Sequence, residues 1–473
     1  MESQKYEVVI GLEVHAQLST KSKLFCRCPV EFGDEPNTDV CPVCLGLPGV
    51  LPTLNRKAVE LAIKAGLALG CKISLRSRFA RKHYFYPDLP KGYQITQYTE
   101  PLAYDGVLDI GGKKIRIRRV HLEEDAGKLI HSDIETLIDF NRCGVPLIEI
   151  VTEPDMNSAE EAYRFLTTLR QILRYLGVSS CDMEKGEFRC EPNISLHLSG
   201  KGLGVRREIK NLNSLKAVKE ALEYEIRYQR ETLKKGGKII QETLLWNPAE
   251  KRCEPMRGKE ESEDYRYFPE PDLPPLVIRK EEIEEIKRSL PELPHQKRER
   301  FLKEYKLPNN LISVLVEEKG LADYYEEVVR EIREPKLVAN WIVTEMKRVM
   351  REKGMGLKGF PISPKSLAEL LGFVKGNRIS RIKAKEVFYK MADTGKGAKE
   401  IIEEKGWELQ RDKGEVLKIA EEVIKRHPEI VEKYRKGKTT VIGFLIGEGM
   451  RLSKGKFDPK ELKKAIESLI LEF

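Results

Sequence analysis

The chain has 473 residues, of which 84 are Lys or Arg and 75 are Asp or Glu, so its formal net charge is +9. Hydrophobic residues make up 40% of the chain, which is enough for real cores and excludes wholesale disorder. No apolar run is long enough to span a membrane, and no apolar signal core follows the N-terminus. With only nine cysteines, the composition predicts a soluble, non-secreted protein of a reducing compartment, the cytoplasm, without a membrane partner.

The positive charge is unevenly distributed along the chain. Residues 1–294 hold 45 basic and 46 acidic side chains, whereas residues 295–473 hold 39 basic and 29 acidic ones. A basic excess confined to one segment suggests a polyanionic partner, with nucleic acid first. A solvated helical surface rich in Lys/Glu pairs has the same composition, so charge alone leaves both interpretations open.

Strand patterns dominate the first part of the chain. β-Branched or alternating residues predict four strands: 6–18, 115–122, 146–151 and 187–198. Helices are predicted at 159–177, after a cap at Asn157 or Ser158, and at 214–236. The segment 262–275 is rich in proline and aromatic residues and is expected to be irregular.

From about residue 281 onward the apolar residues recur with helical spacing. Ser363-Pro364 and Asp458-Pro459 each predict a helix start, because proline is favoured in the first turn after a polar cap. We predict an α+β protein with three domains: a strand-rich domain 1–294, a helical domain 295–405 and a small helical tail domain 406–473.

The strongest local motif is a pair of cysteine pairs. Cys26 and Cys28 are followed, after 12 residues, by Cys41 and Cys44. Four thiolates at this spacing can surround Zn²⁺ tetrahedrally and leave no open position, so the motif predicts a structural zinc in an insertion at about 26–44. The alternative is a set of unliganded or redox-active thiols.

A second signal is the set of acidic residues embedded in predicted strands: Glu13, the triad Glu123-Glu124-Asp125, Glu149, and Glu184, Glu187 and Glu191. A carboxylate inside an apolar strand is costly unless it is paired or bound to a metal. Oxygen ligands with an imidazole such as that of His15 suit Mg²⁺ or Mn²⁺. The alternative is salt-bridged edge strands, and parity does not identify which acid of the triad points inward.

The basic and aromatic segment 81–94 could contact phosphate. Lys82 and Lys91 can hold phosphate oxygens as point charges, although the neighbouring tyrosines could equally pack in a loop. The chain has no P-loop motif, so ATP would have to be handled through a metal and carboxylates.

Long runs of the chain closely resemble the B subunits of bacterial tRNA-dependent amidotransferases. The resemblance covers the whole chain and is carried above all by seven segments: 9–18, 82–97, 121–128, 139–156, 183–196, 208–214 and 263–276. The related archaeal E subunit carries a large inserted domain for which this chain has no room, which favours the bacterial B type.

The resemblance implies a fold and an activity. The N-terminal domain would be an antiparallel-sheet cradle like that of glutamine synthetase. The protein would bind misacylated Glu-tRNA(Gln) or Asp-tRNA(Asn) and phosphorylate the side-chain carboxylate with ATP and Mg²⁺. Ammonia, released from glutamine by the A subunit, an amidase, would then attack the acyl phosphate. A small C subunit would complete the heterotrimer, a carbon–nitrogen ligase. Which tRNA is used stays open.

The resemblance also implies roles for individual residues. It implies that His15, Glu124 and Glu149 are Mg²⁺ ligands. Glu13 would lie beside them and help to hold the ATP-bound metal. It implies contacts to nucleotide phosphates or to the acceptor end from Glu184, Glu187 and Arg189. It also implies that Lys82, Tyr84 and Lys91 lie where ammonia and phosphate approach. The four cysteines match the zinc-bearing members of the family.

The basic helical part is expected to contact tRNA phosphates. The densest run of basic residues, with a second group before the last predicted helix, supplies the candidates: Lys375, Arg378, Arg381, Lys383, Lys385, Arg451, Lys454 and Lys456. For each residue alone, the alternative is an exposed side chain without a partner. A different hypothesis for the whole chain is a non-catalytic tRNA-binding scaffold, but clustered strand carboxylates favour the catalytic interpretation.

Overall fold

The fold is taken from a computed structural model, which describes residues 6–132, 134–200, 202–256, 265–409, 413–453, 455 and 457–472. The chain divides into two compact units, Met1–Pro294 and His295–Phe473. Among the helices in the described ranges, none combines the length and the apolar character needed to cross a membrane.

The first unit contains sixteen strands within the described residues: β1 (Tyr6–Gln17), β2 (Lys72–Ile73), β3 (Arg76–Ser77), β4 (Ala80–His83), β5 (Tyr93–Thr96), β6 (Ala103–Asp109), β7 (Lys114–Glu124), β8 (Lys128–His131), β9 (Thr136–Asp139), β10 (Pro146–Thr152), β11 (Phe188–Leu198), β12 (Arg207–Lys210), β13 (Thr243–Asn247), β14 (Arg252–Pro255), β15 (Phe268–Pro269) and β16 (Leu276–Val277). Nine of them form one large sheet in the order β14-β13-β12-β11-β1-β10-β7-β6-β2. Three small sheets, β15-β4-β5, β16-β3 and β8-β9, account for the rest.

The large sheet is mixed, which corrects the expectation of a wholly antiparallel one. β12 and β13 pair in parallel, whereas the other neighbouring strands of the sheet are antiparallel. A parallel pair needs a long crossover, and the chain between these two strands contains a long helix. The predicted α+β class is confirmed.

Helices cover one face of the large sheet. The first unit has α1 (Arg56–Ala68), α2 (Ala159–Tyr175), α3 (Leu215–Lys234) and α4 (Lys280–Arg288). Ser158 and Ser214 cap α2 and α3 by accepting hydrogen bonds from backbone N–H groups of the first turn, at 3.2 and 3.0 Å. The apolar sides of these helices share one core with the even-numbered residues of β1.

The alternation along β1 defines the two faces of the sheet. Ile10, Leu12 and Val14 are buried against the helices, whereas Glu13 and His15 lie half-buried on the opposite face. Because successive side chains of a strand point to opposite sides, every second residue of the neighbouring strands joins this second face. We call it the open face, and it carries the candidate site.

The second unit is helical. Its helices are α5 (Pro294–Glu304), α6 (Asn309–Leu315), α7 (Lys319–Ile332), α8 (Pro335–Trp341), α9 (Lys347–Glu352), α10 (Pro364–Lys375), α11 (Arg381–Thr394), α12 (Ala398–Lys405), α13 (Lys413–Arg426), α14 (Pro428–Arg435), α15 (Ile442–Leu452) and α16 (Pro459–Glu472). A π-helical turn, Ile342–Met346, joins α8 to α9, and a 3₁₀ turn, Thr439–Val441, precedes α15. One apolar cluster extends from Phe301 to Ile402 and a separate one from Val416 to Ile470. The predicted helix starts at Pro364 and Pro459 are confirmed.

Candidate active site on the open face of the sheet

Strand register brings two imidazoles and two carboxylates together on the open face. Glu149 of β10 lies opposite His15 of β1 on one side and opposite His121 of β7 on the other. His15 Nε2 is 3.3 Å from Glu123 Oε1 and 3.6 Å from Glu149 Oε2. His121 Nε2 is 3.2 Å from Glu149 Oε2 and 3.6 Å from Glu123 Oε2. We call these four residues the acid group.

The electrostatics of the acid group favour charged side chains despite their burial. Burial by itself raises the pKa of a carboxyl, but the imidazoles lower the pKa of Glu123 to about 2 and that of Glu149 well below its usual range. Burial by itself lowers the pKa of an imidazole, but the two glutamates raise that of His121 to about 9 and that of His15 well above its usual range. The group is therefore a pre-formed set of opposite charges.

Three members of the acid group fit a metal ion. His15, Glu123 and Glu149 each offer one ligand atom, and these atoms lie within 4.8 Å of one another. Two carboxylate oxygens with one imidazole nitrogen suit Mg²⁺ or Mn²⁺, and a metal ion here would displace the proton of His15. His121 lies behind them, and its Nδ1 is buried without a hydrogen-bond partner within the described parts of the chain.

Glu124, which the resemblance implied as a metal ligand, points elsewhere. Its carboxylate forms a buried ion pair with Lys91 and accepts a hydrogen bond of 2.9 Å from the backbone N–H of Ile95. Adjacent residues of a strand point to opposite sides, so only Glu123 shares the side of His121. Glu123 therefore replaces Glu124 beside His15 and Glu149. The parity of His121 along the strand was the signal that could have identified it.

Lys91 is likewise engaged with protein. Burial lowers the pKa of its ammonium group, but Glu124 more than compensates and raises it. Gly46, two residues after Cys44, passes directly over the Lys91 side chain, and a Cβ at that position would clash with its Cγ. Lys91 is thus held between Gly46 and Glu124.

The remaining residues implied at the nucleotide are placed around the acid group rather than in it. Arg189 donates a hydrogen bond of 2.9 Å to Asp125 Oδ1. Glu187 accepts hydrogen bonds from Ser180 and from the backbone of the turn that precedes β11. Glu184 is exposed in that turn. The structure does not bring Glu184 or Glu187 into contact with the acid group.

A cavity extends over the open face on the β1–β11 side of the acid group. Its lining includes Glu13, Asn193 and Arg206, and its volume is about 210 Å³. Asn193 Nδ2 donates a hydrogen bond of 3.1 Å to Glu13 Oε1, and burial with the nearby charges of Glu149 and Glu191 raises the pKa of Glu13. No carboxylate pairs with Arg206 in the described parts of the chain. Sequence reasoning did not single out Arg206.

Aromatic rings border the opposite, β7 side of the acid group. Lys82 Nζ lies 4.5 Å from the centroid of the Tyr265 ring and 5.6 Å from that of Tyr84. Burial, followed by nearby acidic charges, raises the pKa of Tyr84. Lys82 and Tyr84 are therefore neighbours in an aromatic group, to which the segment expected to be irregular contributes Tyr265 and Tyr267. That segment contains the short strand β15, whereas its first residues lie outside the described ranges.

The four cysteines of the insertion converge as their spacing predicts. The Sγ atoms of Cys26, Cys28, Cys41 and Cys44 lie within 4.8 Å of one another and could hold one metal ion. A hydrogen bond from Cys26, aided by the charge of Lys23, lowers the pKa of Cys44 to about 4. Four sulfur donors at this separation suit Zn²⁺.

The insertion also holds the chain that leads into β10. The buried Lys23 ammonium donates hydrogen bonds to the carbonyls of Asp39 at 2.7 Å and Phe140 at 3.3 Å. The backbone N–H of Asp39 donates to Asn141 Oδ1 at 2.8 Å. The cysteine group therefore anchors the loop that precedes Glu149.

Comparison with known proteins agrees with these features. A family model described as the GatB/GatE catalytic domain matches residues 8–284, and one described as the GatB domain matches residues 323–470. The B subunit of an aspartyl/glutamyl-tRNA(Asn/Gln) amidotransferase from Thermodesulfovibrio yellowstonii is 52% identical over 474 residues, covering 99% of this chain and 100% of the relative. The proteins of the same name from Persephonella marina and Caldanaerobacter subterraneus are each 51% identical, covering 98% and 96% of this chain and 100% and 97% of the relatives.

The chain belongs to this family of amidotransferase B subunits. The resemblance stated from the motifs is thereby confirmed. The catalytic-domain match includes the acid group and the cysteine insertion, and the second match lies within the helical unit.

Most basic residues expected to contact tRNA in this family member are paired with acids in the helical unit. The pairs are Lys375–Glu334 at 3.0 Å, Arg378–Glu408 at 2.6 Å, Lys383–Glu386 at 2.8 Å, Lys385–Glu345 at 2.5 Å and Arg451–Glu448 at 3.0 Å. Arg381 has no carboxylate partner in the described ranges. Lys454 and Lys456 lie outside the described residues.

Proposed function

We propose that this chain is the component of a tRNA-dependent amidotransferase that activates the misacylated substrate. It would phosphorylate the side-chain carboxylate of Glu-tRNA(Gln) or Asp-tRNA(Asn) with ATP. Ammonia released from glutamine by the A subunit, an amidase, would displace the phosphate, with the small C subunit completing the heterotrimer in the cytoplasm. Family membership supports the general role, and the acid group on the open face is the observation that carries the chemistry.

The acid group supports a catalytic rather than a purely binding role. Buried charges are costly, and a scaffold that only presents tRNA has no use for four of them at one point. We propose that His15, Glu123 and Glu149 hold Mg²⁺, which when bound would neutralise charge on the transferring phosphoryl group. His121 would orient Glu123 and Glu149 through the contacts of its Nε2. An open sheet whose other face is covered by helices is also consistent with the glutamine synthetase-like cradle implied by the resemblance.

The nucleotide is assigned to the cavity on the β1–β11 side. Arg206 offers a cation there without a carboxylate partner among the described residues, and Arg side chains bind phosphate oxygens well. Glu13 lies between this cavity and the acid group, where it could help to hold a metal bound to the phosphates. Arg189 would act as a positioning residue through Asp125, with Glu187 and Glu184 in the turn beside it.

Lys82, Tyr84 and Lys91 are assigned to the β7 side of the acid group. Lys82 could contact the acceptor end or phosphate, since its ammonium is held only by aromatic rings in the described contacts. Lys91 and Glu124 would act as a pair near the entry of ammonia. Cys26, Cys28, Cys41 and Cys44 would hold a structural Zn²⁺.

We propose that the helical residues contact tRNA in two parts, 295–405 and 406–473. Their separate apolar clusters and the basic excess of this segment support the division. Phosphate contacts of this kind weaken as salt increases.

The test of the proposed function is ATP hydrolysis by the assembled heterotrimer in the presence of Glu-tRNA(Gln). We expect Glu149→Ala to reduce turnover by at least about 100-fold, because it removes a metal ligand and leaves His121 without its closest partner. Glu153→Ala is the matched control, since this nearby acid instead pairs with Arg118 at 2.9 Å on the surface. Equal turnover in the wild type and Glu149→Ala would contradict the proposal.

A further inference from the structure

Two tyrosines form a parallel stack beside the acid group. The ring centroids of Tyr98 and Tyr267 are 4.0 Å apart, and the ring planes differ by 3°. Tyr98 is 46% exposed, whereas Tyr267 is half-buried. The pair therefore presents an aromatic surface that is supported from behind and open to solvent, and we call it the tyrosine stack.

The tyrosine stack lies at the rim of the acid group on its β7 side. Tyr98 follows Thr96 by two residues, and the Thr96 hydroxyl donates a hydrogen bond of 3.2 Å to Glu123 Oε2. Burial raises the pKa of Tyr267, and the charges of Glu149 and Glu123 raise it further. Its hydroxyl is thus within electrostatic range of both carboxylates.

The backbone that carries Tyr267 is firmly anchored. Glu270, which follows β15, accepts two hydrogen bonds from the Arg81 guanidinium at 2.8 and 2.9 Å and is 3% exposed. The same guanidinium lies 4.3 Å from the centroid of the Tyr93 ring. Because β15 pairs with β4 next to this ion pair, the ring of Tyr267 is held in place before any ligand binds.

We propose that the tyrosine stack receives the adenine base of the 3′-terminal adenosine of the misacylated tRNA. This inference rests on the proposed function. The aminoacyl group is esterified to the terminal ribose, so the terminal base lies only a few bonds from the carboxylate that must reach the acid group. Single-stranded RNA ends are characteristically recognised by stacking of unpaired bases on aromatic side chains.

ATP is a second source of adenine, but its position fits less well. Arg206, which forms no ion pair with a carboxylate among the described residues and suits the triphosphate, lines the cavity on the β1–β11 side. The tyrosine stack lies on the β7 side, since β5, which leads to Tyr98, packs against β7 through Gln94 and the Glu124 carbonyl at 2.8 Å. The two substrates would then approach the acid group from opposite sides.

The test compares two uncharged tRNA(Gln) transcripts, one with the complete 3′ end and one lacking only the terminal adenosine. Their binding to the assembled heterotrimer is measured by fluorescence anisotropy. We expect the wild type to bind the complete transcript about tenfold more tightly, the size typical of one stacked base. Tyr98→Ala should reduce this ratio to about one, whereas Tyr98→Phe should retain it. Tyr228→Ala, at a tyrosine 44% exposed on α3, is the matched control and should also retain the ratio.

Direct binding of ATP to the same variants distinguishes the two sources of adenine. Tyr98→Ala should leave the ATP affinity within about twofold of the wild type, because only the RNA base is stacked. A Tyr98→Ala complex that keeps the tenfold preference, or that loses ATP affinity instead, would overturn the proposal. A wild type that binds both transcripts equally would overturn the proposal but leave the proposed function intact, whereas one that binds neither would contradict both.

Discussion

The open face of the sheet and the helical unit use charged residues in opposite ways. On the open face, His15, Glu123 and Glu149 come from three strands far apart in the sequence and meet where solvent is largely excluded. In the helical unit the pairs are instead exposed: in Lys383–Glu386, one helical turn apart, and in Lys375–Glu334, from separate segments, all the side chains stay more than 40% exposed.

This difference shows that charge density does not by itself locate a functional site. Exposed pairs within one helix contribute little free energy and are compatible with any solvated surface. Buried charges drawn from distant segments are costly, and the fold retains them only where geometry and pairing compensate. The near-neutral first unit therefore contains the stronger candidate site, although the basic excess lies in the second.

The largest expected effect is on metal affinity, and it distinguishes two adjacent acids of β7. We expect Glu123→Gln to lower the Mn²⁺ affinity of the assembled heterotrimer by at least about 100-fold, because it removes a charged ligand. Glu124→Gln should leave that affinity within about threefold, since this carboxylate pairs with Lys91 instead. Titration followed by electron paramagnetic resonance measures both. The reverse pattern would restore Glu124 as the ligand and contradict the geometry of the acid group.

Like the open face, the cysteine insertion joins segments that are distant in the sequence, because Asp39 donates a hydrogen bond to Asn141. We expect purified wild type to contain about one zinc per chain and Cys28→Ser to contain almost none. Hydrogen exchange of the loop that precedes β10 should accelerate at least about tenfold in this variant, because the insertion anchors Asn141. Cys253→Ser, at a cysteine outside the group, is the control and should keep the metal. Absence of zinc or a comparable tetrahedral metal from the wild type would refute the site.

A third prediction contrasts a buried ion pair with an exposed one. Arg207 Nη1 and Glu225 Oε1 are 2.8 Å apart with side chains 6% and 1% exposed. Glu225→Gln should lower the free energy of unfolding by about 3 kcal/mol, because it leaves a buried guanidinium undercompensated. Glu386→Gln in the helical unit should cost about 0.5 kcal/mol or less. Hydrogen exchange of α3 and α11 reports each change in stability locally. Equal losses of free energy for the two variants would contradict the contrast between buried and exposed pairs.

The smallest expected effect concerns RNA contacts of the helical unit. Arg381→Ala should weaken tRNA binding several-fold and reduce the salt slope by about one, because a guanidinium without a carboxylate partner in the described ranges is available to phosphate. Lys383→Ala should change the slope less, since Glu386 already neutralises this ammonium. Binding of each variant to tRNA, measured at several salt concentrations, gives the two salt slopes. A larger change for Lys383→Ala would show that local pairing does not limit RNA contact.

Local features of the fold were predictable because they depend on neighbouring residues. The alternation along β1, the caps at Ser158 and Ser214, and the proline starts of α10 and α16 all follow from residues within a few positions of each other. The parallel pairing of β12 and β13 was not predictable, because it joins segments on either side of a helix.

By itself, the sequence determined the family, the α+β class and the four-cysteine group, because motifs and short spacings carry them. Only the tertiary structure decided that Glu123 rather than Glu124 meets His15 and Glu149, since strand pairing selects which side of β7 faces them. It also decided which basic residues are neutralised, because their acidic partners, such as Glu345 for Lys385, can lie on another helix. The net charge of +9 counts these residues without regard to their partners, and partners are set by folding.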